Sequence, residues 1–429
     1  MSEKFYLDGV QISKVLIVGY GSTGKSIHEF LKAFSDTQVD ISKSTDDFED
    51  FKLDDYDLIA VSPGIPLNKD IYAPLRSHGN IISDMDIFYD QIKDTLSKTI
   101  VVTGSNGKST TVTMLNYVLN YLGYKSVLIG NIGTPVLSII DDEFDYYVIE
   151  LSSFQIDLLR KAKFDIGCVI NVSPDHLDRY DSFEEYKQSK LNLENFCEEF
   201  IAYDVGTKGV KYEGCYAIRR GNIYKNTTKI LSMEEVHLFG NHNLENIVVV
   251  LNILDKLNID TFQAVFAIKT FKGLEHRCRV VETVDRVLYI NDSKGTNVGA
   301  TIAALYSITD TRNIVLLLGG VAKGGDFTLM EDILKKYVKY LHIYGQDRDY
   351  IENQIGDFCD HELNKNMKEA FASASKNADD NDVILLSPAC ASFDEFKNYE
   401  ERGEAFEKLV KQLLPPKKKL WKGLKKSAI

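Results

Sequence analysis

The sequence predicts an α/β protein built mainly from parallel sheets, and three observations support this fold class. Strand-like apolar runs alternate with helix-like patterns along almost all of the 429 residues, an order typical of parallel sheets covered by helices. Two of these runs, KVLIVG and KTIVVTG, each pass through a glycine-rich turn into a helical pattern. A chain of this length also exceeds one ordinary hydrophobic core, so two or three domains are expected.

The strand and helix patterns fall into three α/β groups followed by a short tail. The first group opens with KVLIVG, the second with KTIVVTG, and the third continues through the strand-like runs VLYIND, NIVLLLGG, YLHIYG and DVILLSPA. We therefore predict domains at 1–98, 99–274 and 275–414, with a tail at 415–429.

Composition and charge narrow the class of protein. The formal net charge of -13 argues against general nucleic-acid binding, which needs a basic surface, but leaves room for a local nucleotide site. The six cysteines include no CxxC pair, which is typical of reduced thiols in the cytoplasm. The N-terminus lacks a signal-peptide pattern, and no apolar run reaches the ~18 residues that a membrane span needs. We expect a cytoplasmic protein without a transmembrane segment.

Two glycine-rich loops are candidate phosphate sites. GYGSTGKS, from Gly19 to Ser26, fits both G-x-x-x-x-G-K-[ST] and G-x-G-x-x-G. TGSNGKST, from Thr103 to Thr110, departs from the first pattern because Val102 stands where its first glycine would be. Each loop joins a strand to a helix, so each directs backbone N–H groups and a helix N-terminus at one point, where an anion can bind.

The residues around the second loop favour it as the ATP site. Lys108 is followed by hydroxyl side chains, which can bind Mg²⁺ while the lysine reaches phosphate oxygens. Glu150 ends the apolar strand YYVIE and supplies a carboxylate for the metal. We therefore assign ATP to 103–110 and a different phosphate-bearing ligand to 19–24, although the first loop could also be a plain strand–helix turn.

A lysine lies on an apolar helical stripe further along the chain. In SFEEYKQSKLNLENFCEEF, the side chains at steps of three and four include Tyr186, Lys190 and Leu193. A buried ammonium is costly unless it is paired, so Lys190 could extend to solvent, form a salt bridge, or react with CO₂ to give a carbamate that binds metal. His176 follows the strand CVINVS, where open α/β sheets bind ligands, and is a candidate metal ligand.

Ten blocks along the chain resemble the Mur ligases, in order, between about residues 14 and 414. They are TGSNGKST, GNIGTP, ELSSFQ, NVSPDHLDRY, the helix carrying Lys190, GNHNLEN, EHR, NDSKGTN, LLGGVAKGGDF and LSPACASFDEFKNYEERG. NDSKGTN and the last two blocks look most like the branch of the family that adds D-glutamate to UDP-N-acetylmuramoyl-L-alanine.

This resemblance implies a three-domain ligase that forms an amide bond through an acyl phosphate. A Rossmann-like N-terminal domain would hold the UDP-linked substrate, a central P-loop-type domain would hold ATP and two Mg²⁺ ions, and a Rossmann-like C-terminal domain would hold D-glutamate. The protein is expected to act as a monomer. The alternatives are a sister Mur ligase or folylpolyglutamate-type ligase that takes another amino acid, or, in a different class, a P-loop NTPase or kinase that uses 19–26.

The resemblance also implies roles for individual residues. ATP would contact Gly104, Ser105, Asn106, Gly107, Lys108, Ser109, Thr110, Asn243, Asn246, Arg277 and Asp292. The metal ligands would be Ser109, Glu150, His176 and carbamylated Lys190. The UDP-linked substrate would lie near Gly21, Ser22, Thr23, Gly24, Asp40, Gly64 and Asn131, and D-glutamate near Lys294, Thr296, Lys323, Ser392 and Tyr399.

The tail departs from the family pattern. The segment KKKLWKGLKKSAI, 417–429, carries six lysines and follows two prolines that stop the preceding helix. It is interpreted as a solvated tail, or as a basic segment that weakly contacts an anionic membrane or an acidic partner.

Overall fold

The computed structural model describes residues 4–43, 48–67, 70–172, 179–204, 215–238, 242–308, 311–322 and 324–414. They form two compact units. The first contains the described residues up to Val236 together with His242–Phe271, and the second contains His237, Leu238 and the described residues from Lys272 onward. The unit boundary near 272 lies close to the predicted boundary at 274. The further division at 98 stays a prediction, although two separate sheets lie on either side of it in the first unit. Within the described ranges, no helix is both long and apolar enough to cross a membrane, and the tail 415–429 lies outside them.

The first sheet of the first unit has four parallel strands in the order β4-β3-β5-β6. Its central strand is buried on both faces, which explains the continuous apolar run KVLIVG. The strands are β3 (Lys14–Val18), β4 (Gln38–Ser42), β5 (Leu58–Val61) and β6 (Ile81–Ile82), after an antiparallel pair β1 (Phe5–Leu7) and β2 (Val10–Ile12). The helices are α1 (Ser22–Leu31), α2 (Ala73–Ser77) and α3 (Asp84–Ile92).

The second sheet has five parallel strands in the order β11-β10-β7-β9-β8. These are β7 (Lys98–Thr103), β8 (Ser126–Gly130), β9 (Tyr146–Glu150), β10 (Phe164–Asn171) and β11 (Cys197–Asp204). The chain leaves β7 towards one edge and later returns to its other side, so the order reverses at β7. Open α/β sheets bind ligands beyond the carboxyl ends of the strands at such a reversal, and the second glycine loop lies there.

The rest of the first unit packs around this second sheet. It comprises α4 (Lys108–Tyr121), α5 (Ser153–Leu158), α6 (Phe183–Leu191), α7 (His242–Lys256) and α8 (Thr261–Thr270), with a small antiparallel sheet of β12 (Tyr216–Arg219), β13 (Asn222–Lys225) and β14 (Thr228–Ser232).

The second unit is built on a six-stranded sheet in the order β15-β16-β20-β17-β18-β19, in which only the β15–β16 pair is antiparallel. The strands are β15 (Arg279–Val284), β16 (Val287–Asn291), β17 (Ile314–Gly319), β18 (Val338–Tyr344), β19 (His361–Leu363) and β20 (Val383–Leu386). The helices are α9 (Val298–Ile308), α10 (Glu331–Tyr337), α11 (Arg348–Ile355), α12 (Met367–Asn377) and α13 (Tyr399–Leu413). The predicted α/β class with mainly parallel sheets is confirmed.

Candidate active site

The second glycine loop connects the end of β7 at Thr103 to the start of α4 at Lys108. Gly107, the residue before the helix, has φ of 82°, a left-handed conformation that favours glycine. A Cβ atom there would come within 2.3 Å of Asn246 Oδ1, so α7 and the loop can approach only because this residue is a glycine. Asn246 also donates from Nδ2 to Asn243 Oδ1 over 3.0 Å, and both amides are buried. The structure thus brings Asn246 and Asn243 to the loop.

Lys108 folds over the loop that precedes it. Its Nζ donates to the backbone carbonyl oxygens of Gly104, at 2.8 Å, and Ser105, at 3.0 Å. This places the ammonium group beside the α4 N-terminus, where backbone N–H groups and the helix dipole also favour an anion. A phosphate at this point would meet the lysine charge and the helix end together.

Asn171, at the end of β10, braces the same loop. Its Oδ1 accepts a hydrogen bond from the Asn106 backbone N–H at 2.9 Å, and its Nδ2 donates to the Asn106 carbonyl oxygen at 3.0 Å. Its own carbonyl oxygen accepts from the Ser105 N–H at 2.9 Å. Asn171 was not predicted as a site residue, although its position at the end of a strand next to β7 could have indicated it.

Glu150 ends β9 directly beside β7, where it pairs in register with Val102. Its side chain is 1% exposed, and Asn131 Nδ2 donates to its Oε1 over 2.7 Å. Its Oε2 is buried and has no hydrogen-bond partner among the described residues. Because buried polar atoms are almost always satisfied, and carboxylate oxygens are preferred ligands of Mg²⁺, this atom fits a metal ligand.

Ser109 and His176 are the other predicted metal ligands besides Glu150 and Lys190. Ser109 is buried near the start of α4. His176 falls in 173–178, outside the described residues. Elsewhere in the chain, within the ranges that the structure describes, no group of three or more His, Cys, Asp or Glu side chains is arranged to hold a metal.

Lys190, on α6, is 2% exposed. Of the three alternatives drawn from the sequence, the one in which its side chain extends to solvent is therefore wrong. Its Nζ lies 4.8 Å from the centroid of the Tyr186 ring. The Tyr186 hydroxyl is in turn 3.0 Å from the Ser105 hydroxyl. The α6 helix that carries the lysine is therefore joined directly to the second glycine loop.

The helix around Lys190 is shorter than its apolar spacing suggests. It ends at Leu191, and a 3₁₀ turn over Asn192–Phe196 leads into β11. Residues from Cys197 onward form a parallel ladder with β10, so sheet pairing overrides the helical period there. Ser189 Oγ donates to Asp157 Oδ1 over 2.6 Å and fastens α6 to α5.

A cavity of about 440 Å³ lies beside the first glycine loop. It is lined by the predicted residues Gly21, Ser22, Thr23, Gly64 and Asn131. Asn131 also donates to Glu150, so one lining residue of the cavity contacts the carboxylate beside the second loop. Its lining also includes Tyr20, Lys43 and Gln155, which were not predicted; Lys43 directly follows β4, so the strand-end rule could have found it.

Two predicted substrate contacts, Gly24 on α1 and Asp40 on β4, lie away from this cavity lining. Gly24 is buried against the start of its own loop, where a Cβ atom would lie 2.0 Å from the Gly19 carbonyl oxygen. Asp40 lies within β4 and accepts a hydrogen bond from the Tyr56 hydroxyl at 2.9 Å. Neither is among the described residues that line the cavity, so Gly24 has a packing role and Asp40 an internal partner.

In the second unit, Arg277 projects from a constrained turn. Its neighbours His276 and Cys278 have φ values of 59° and 44°, which are uncommon for residues other than glycine. Asp292 is buried and accepts from the Cys278 N–H at 3.1 Å and from Ser387 Oγ at 2.6 Å. Burial raises the pKa of the Asp292 carboxyl to about 6. The Asp292 side chain thus holds the turn that presents the exposed Arg277.

The candidate amino-acid residues of the second unit lie around the start of α13. Lys294 Nζ is 5.8 Å from the centroid of the Tyr399 ring, and burial raises the pKa of the Tyr399 hydroxyl to about 12. Ser392 is buried, and its carbonyl oxygen accepts from the Phe396 N–H at 2.8 Å. Thr296 is half-buried, and Lys323 lies outside the described residues. The structure thus brings Lys294 and Tyr399 together.

Two protein-family models match regions of the chain that contain several of these candidate site residues. A family model described as the Mur ligase middle domain matches residues 102–208. A second model, described as the Mur ligase, glutamate ligase domain, matches residues 276–390. The two matches contain the second glycine loop and the Arg277 turn, respectively.

Full-length relatives and a solved structure extend the similarity to nearly the whole chain. The chain is 62% identical over 410 residues to a UDP-N-acetylmuramoylalanine–D-glutamate ligase of Francisella philomiragia subsp. philomiragia, covering 95% of this chain and 99% of the relative. It is also 62% identical to the enzyme of that name from Francisella tularensis subsp. novicida, over 95% of this chain and 98% of the relative. A structure of UDP-N-acetylmuramate-alanine ligase from Thermotoga maritima shares the fold at 16% identity, with a TM-score of 0.56 over 94% of this chain and 99% of that one. The chain therefore belongs to the Mur ligase family.

Proposed function

We propose that the chain catalyses the ATP-dependent addition of D-glutamate to UDP-N-acetylmuramoyl-L-alanine, a step of peptidoglycan precursor synthesis. The observation that carries this proposal is the 62% identity, over 95% of the chain, to relatives named UDP-N-acetylmuramoylalanine–D-glutamate ligase. The cavity beside the first loop and its connection through Asn131 to Glu150 support the same reaction. The cytoplasmic location and the monomeric state stay predictions from the sequence.

The proposed reaction needs ATP because a free carboxylate has no adequate leaving group. Transfer of the γ-phosphoryl group to the carboxylate of the L-alanine residue gives an acyl phosphate and ADP. The D-glutamate amine then attacks the acyl carbon, the C–O bond to phosphate breaks, and the amine loses a proton as the amide forms. Positioning and charge neutralisation dominate phosphoryl transfer, so the protein must hold the phosphates and the acceptor carboxylate close together.

The residues of the second loop are suited to the phosphoryl step. Lys108 and the α4 N-terminus would neutralise the transferred phosphate, and Ser109 and Glu150 would hold Mg²⁺. When bound, Mg²⁺ would neutralise charge on the phosphate oxygens. Asn131 would orient the acceptor carboxylate, since it lines the substrate cavity and contacts Glu150.

For Lys190 we propose the carbamate, with His176 as a neighbouring metal ligand. Burial disfavours a charged ammonium, and only the neutral amine reacts with CO₂, forming an N–C bond and releasing one proton. The link from Lys190 through Tyr186 to Ser105 supports a position close to the ATP loop. A salt bridge is the alternative role for this lysine.

Replacing Lys190 by alanine should abolish most activity, and short carboxylic acids such as acetate should partly restore it, because they can supply the missing carboxylate. The measurement is the rate of phosphate release with and without the added acid. Lys187→Ala is the matched control, since Lys187 is also largely buried on α6 and pairs with Glu184 at 3.6 Å; its activity should not respond to the acid. A fully active Lys190→Ala enzyme would exclude the carbamate.

The proposed function is tested by coupled phosphate release with UDP-N-acetylmuramoyl-L-alanine, ATP and Mg²⁺. Adding D-glutamate should stimulate release, whereas L-alanine, a diamino acid or a dipeptide should not. Stimulation by one of those other amino acids alone would identify a sister ligase and overturn the proposal.

A further inference from the structure

Arg402, on α13, has the largest fully buried side chain in the described part of the chain, with 0% exposure. Its Nε donates to Ser293 Oγ at 2.9 Å, its Nη2 to the Ser293 carbonyl oxygen at 2.9 Å, and its Nη1 to the Cys390 carbonyl oxygen at 3.1 Å. All three acceptors are neutral oxygens. Arg402 has no place in the reaction described above.

Arg402 has no carboxylate at ion-pair distance among the described residues, although its charge interacts at longer range with the Glu395 carboxyl. A guanidinium stays protonated in proteins, and a buried cation is costly unless an anion compensates it. Within the described ranges, Arg402 forms no ion pair, whereas the exposed Arg286 of the same unit pairs with Asp380 at 2.7 Å. The three hydrogen bonds occupy all three guanidinium nitrogens, and carboxylates such as Glu395 compensate the charge only at longer range.

The partners of Arg402 lie beside the candidate amino-acid residues. Ser293 directly precedes Lys294, and Cys390 lies two residues before Ser392. Ser293 Oγ also donates to the Tyr399 carbonyl oxygen at 2.8 Å. One buried guanidinium therefore joins the loop of Lys294, the loop of Ser392 and the helix of Tyr399.

We propose that Arg402 is a positioning residue that also sets specificity for a dicarboxylic amino acid. Its hydrogen bonds hold three candidate contacts of the amino acid in place. Its buried charge adds a positive contribution to their surroundings, which favours a substrate whose side chain carries a second carboxylate, because charges interact over longer distances where water is excluded. This inference rests on the proposed function, since it assumes that D-glutamate binds beside Lys294 and Tyr399.

The test compares Arg402→Gln, which removes the charge, with Arg402→Lys, which keeps it. We expect Arg402→Gln to raise the KM for D-glutamate by about tenfold or more, a factor typical of losing one partly shielded charge interaction. The KM for ATP should change less than about twofold, and Arg402→Lys, which keeps the charge but not the planar set of donors, should recover part of the D-glutamate affinity. Arg286→Gln is the matched control and should leave both KM values unchanged.

A merely structural role predicts a different pattern. Arg402→Gln would then lower the melting temperature and either reduce kcat alone or raise both KM values equally, and this result would overturn the proposal. If Arg402→Gln does not fold, Arg402→Lys decides: because lysine keeps the charge but not all the hydrogen bonds, a rise of less than about tenfold in the KM for D-glutamate alone supports the proposal, and an equal rise in both KM values contradicts it. A wild-type enzyme inactive with D-glutamate would refute the proposed function itself, whereas an active one with unchanged KM values in the variants would refute only the role of Arg402.

Discussion

Replacing Lys108 by alanine is expected to lower kcat by roughly 100- to 1,000-fold, the effect of losing one preorganised donor to the transition state. The reason is the position of its ammonium group, which is held by the carbonyl oxygens of Gly104 and Ser105 beside the α4 N-terminus. In the proposed reaction, negative charge moves to the leaving ADP and to the acyl phosphate at this point. The measurement is phosphate release at saturating ATP.

Lys25→Ala is the matched control for this prediction. Lys25 occupies the equivalent place in the first glycine loop, where it is exposed, and the cavity beside that loop is not lined by it among the described residues. Its removal should change kcat less than about threefold. A large loss in Lys25→Ala together with near-normal turnover in Lys108→Ala would assign the triphosphate to the first loop.

Glu150→Gln is expected to reduce kcat by about 100-fold or more at millimolar Mg²⁺, with part of the loss recovered at higher Mg²⁺. The substitution keeps an oxygen that can accept from Asn131 but replaces one carboxylate oxygen by an amide N–H₂ group, which cannot bind a metal. Because the side chain keeps its volume, the fold should persist. The measurement is the rate as a function of Mg²⁺ concentration, together with the melting temperature.

The control for Glu150 is Glu143→Gln, which makes the same chemical change at an exposed position of the same unit. Its Mg²⁺ dependence should match that of the wild type. If Glu150→Gln shows a normal Mg²⁺ dependence with an unchanged melting temperature, the buried Oε2 atom is not a metal ligand.

The sequence was informative about the fold wherever local pattern and tertiary environment agree. The run KVLIVG became β3 because a central parallel strand is buried on both faces. The strand order of the second sheet was not predictable, since it depends on contacts between distant segments such as Val102 and Glu150. The helix beyond Leu191 was mispredicted because a helical spacing of apolar residues also fits a turn followed by a buried strand.

For the candidate site too, residues marked by a local sequence pattern could be predicted, whereas residues defined by contacts between distant segments could not. Lys108 and Glu150 could be proposed from a loop and a strand end, where parallel sheets bind their ligands, whereas Asn131 was proposed only from the resemblance to the Mur ligases. Gln155 could be identified only when the structure placed it on the cavity, whereas Lys43 directly follows β4 and could have been predicted by the strand-end rule. Arg402 could not be identified from a loop or strand end. Its burial and its hydrogen bonds depend on the tertiary fold, since Ser293 lies 109 residues away in the sequence.

The most direct test of the central claim is a crystal structure of the protein with Mg²⁺ and a non-hydrolysable ATP analogue. We expect the γ-phosphate to lie against Lys108 Nζ and the α4 N-terminus, with a metal ion bound by Glu150. A triphosphate bound beside Lys25 in the first glycine loop would contradict this account.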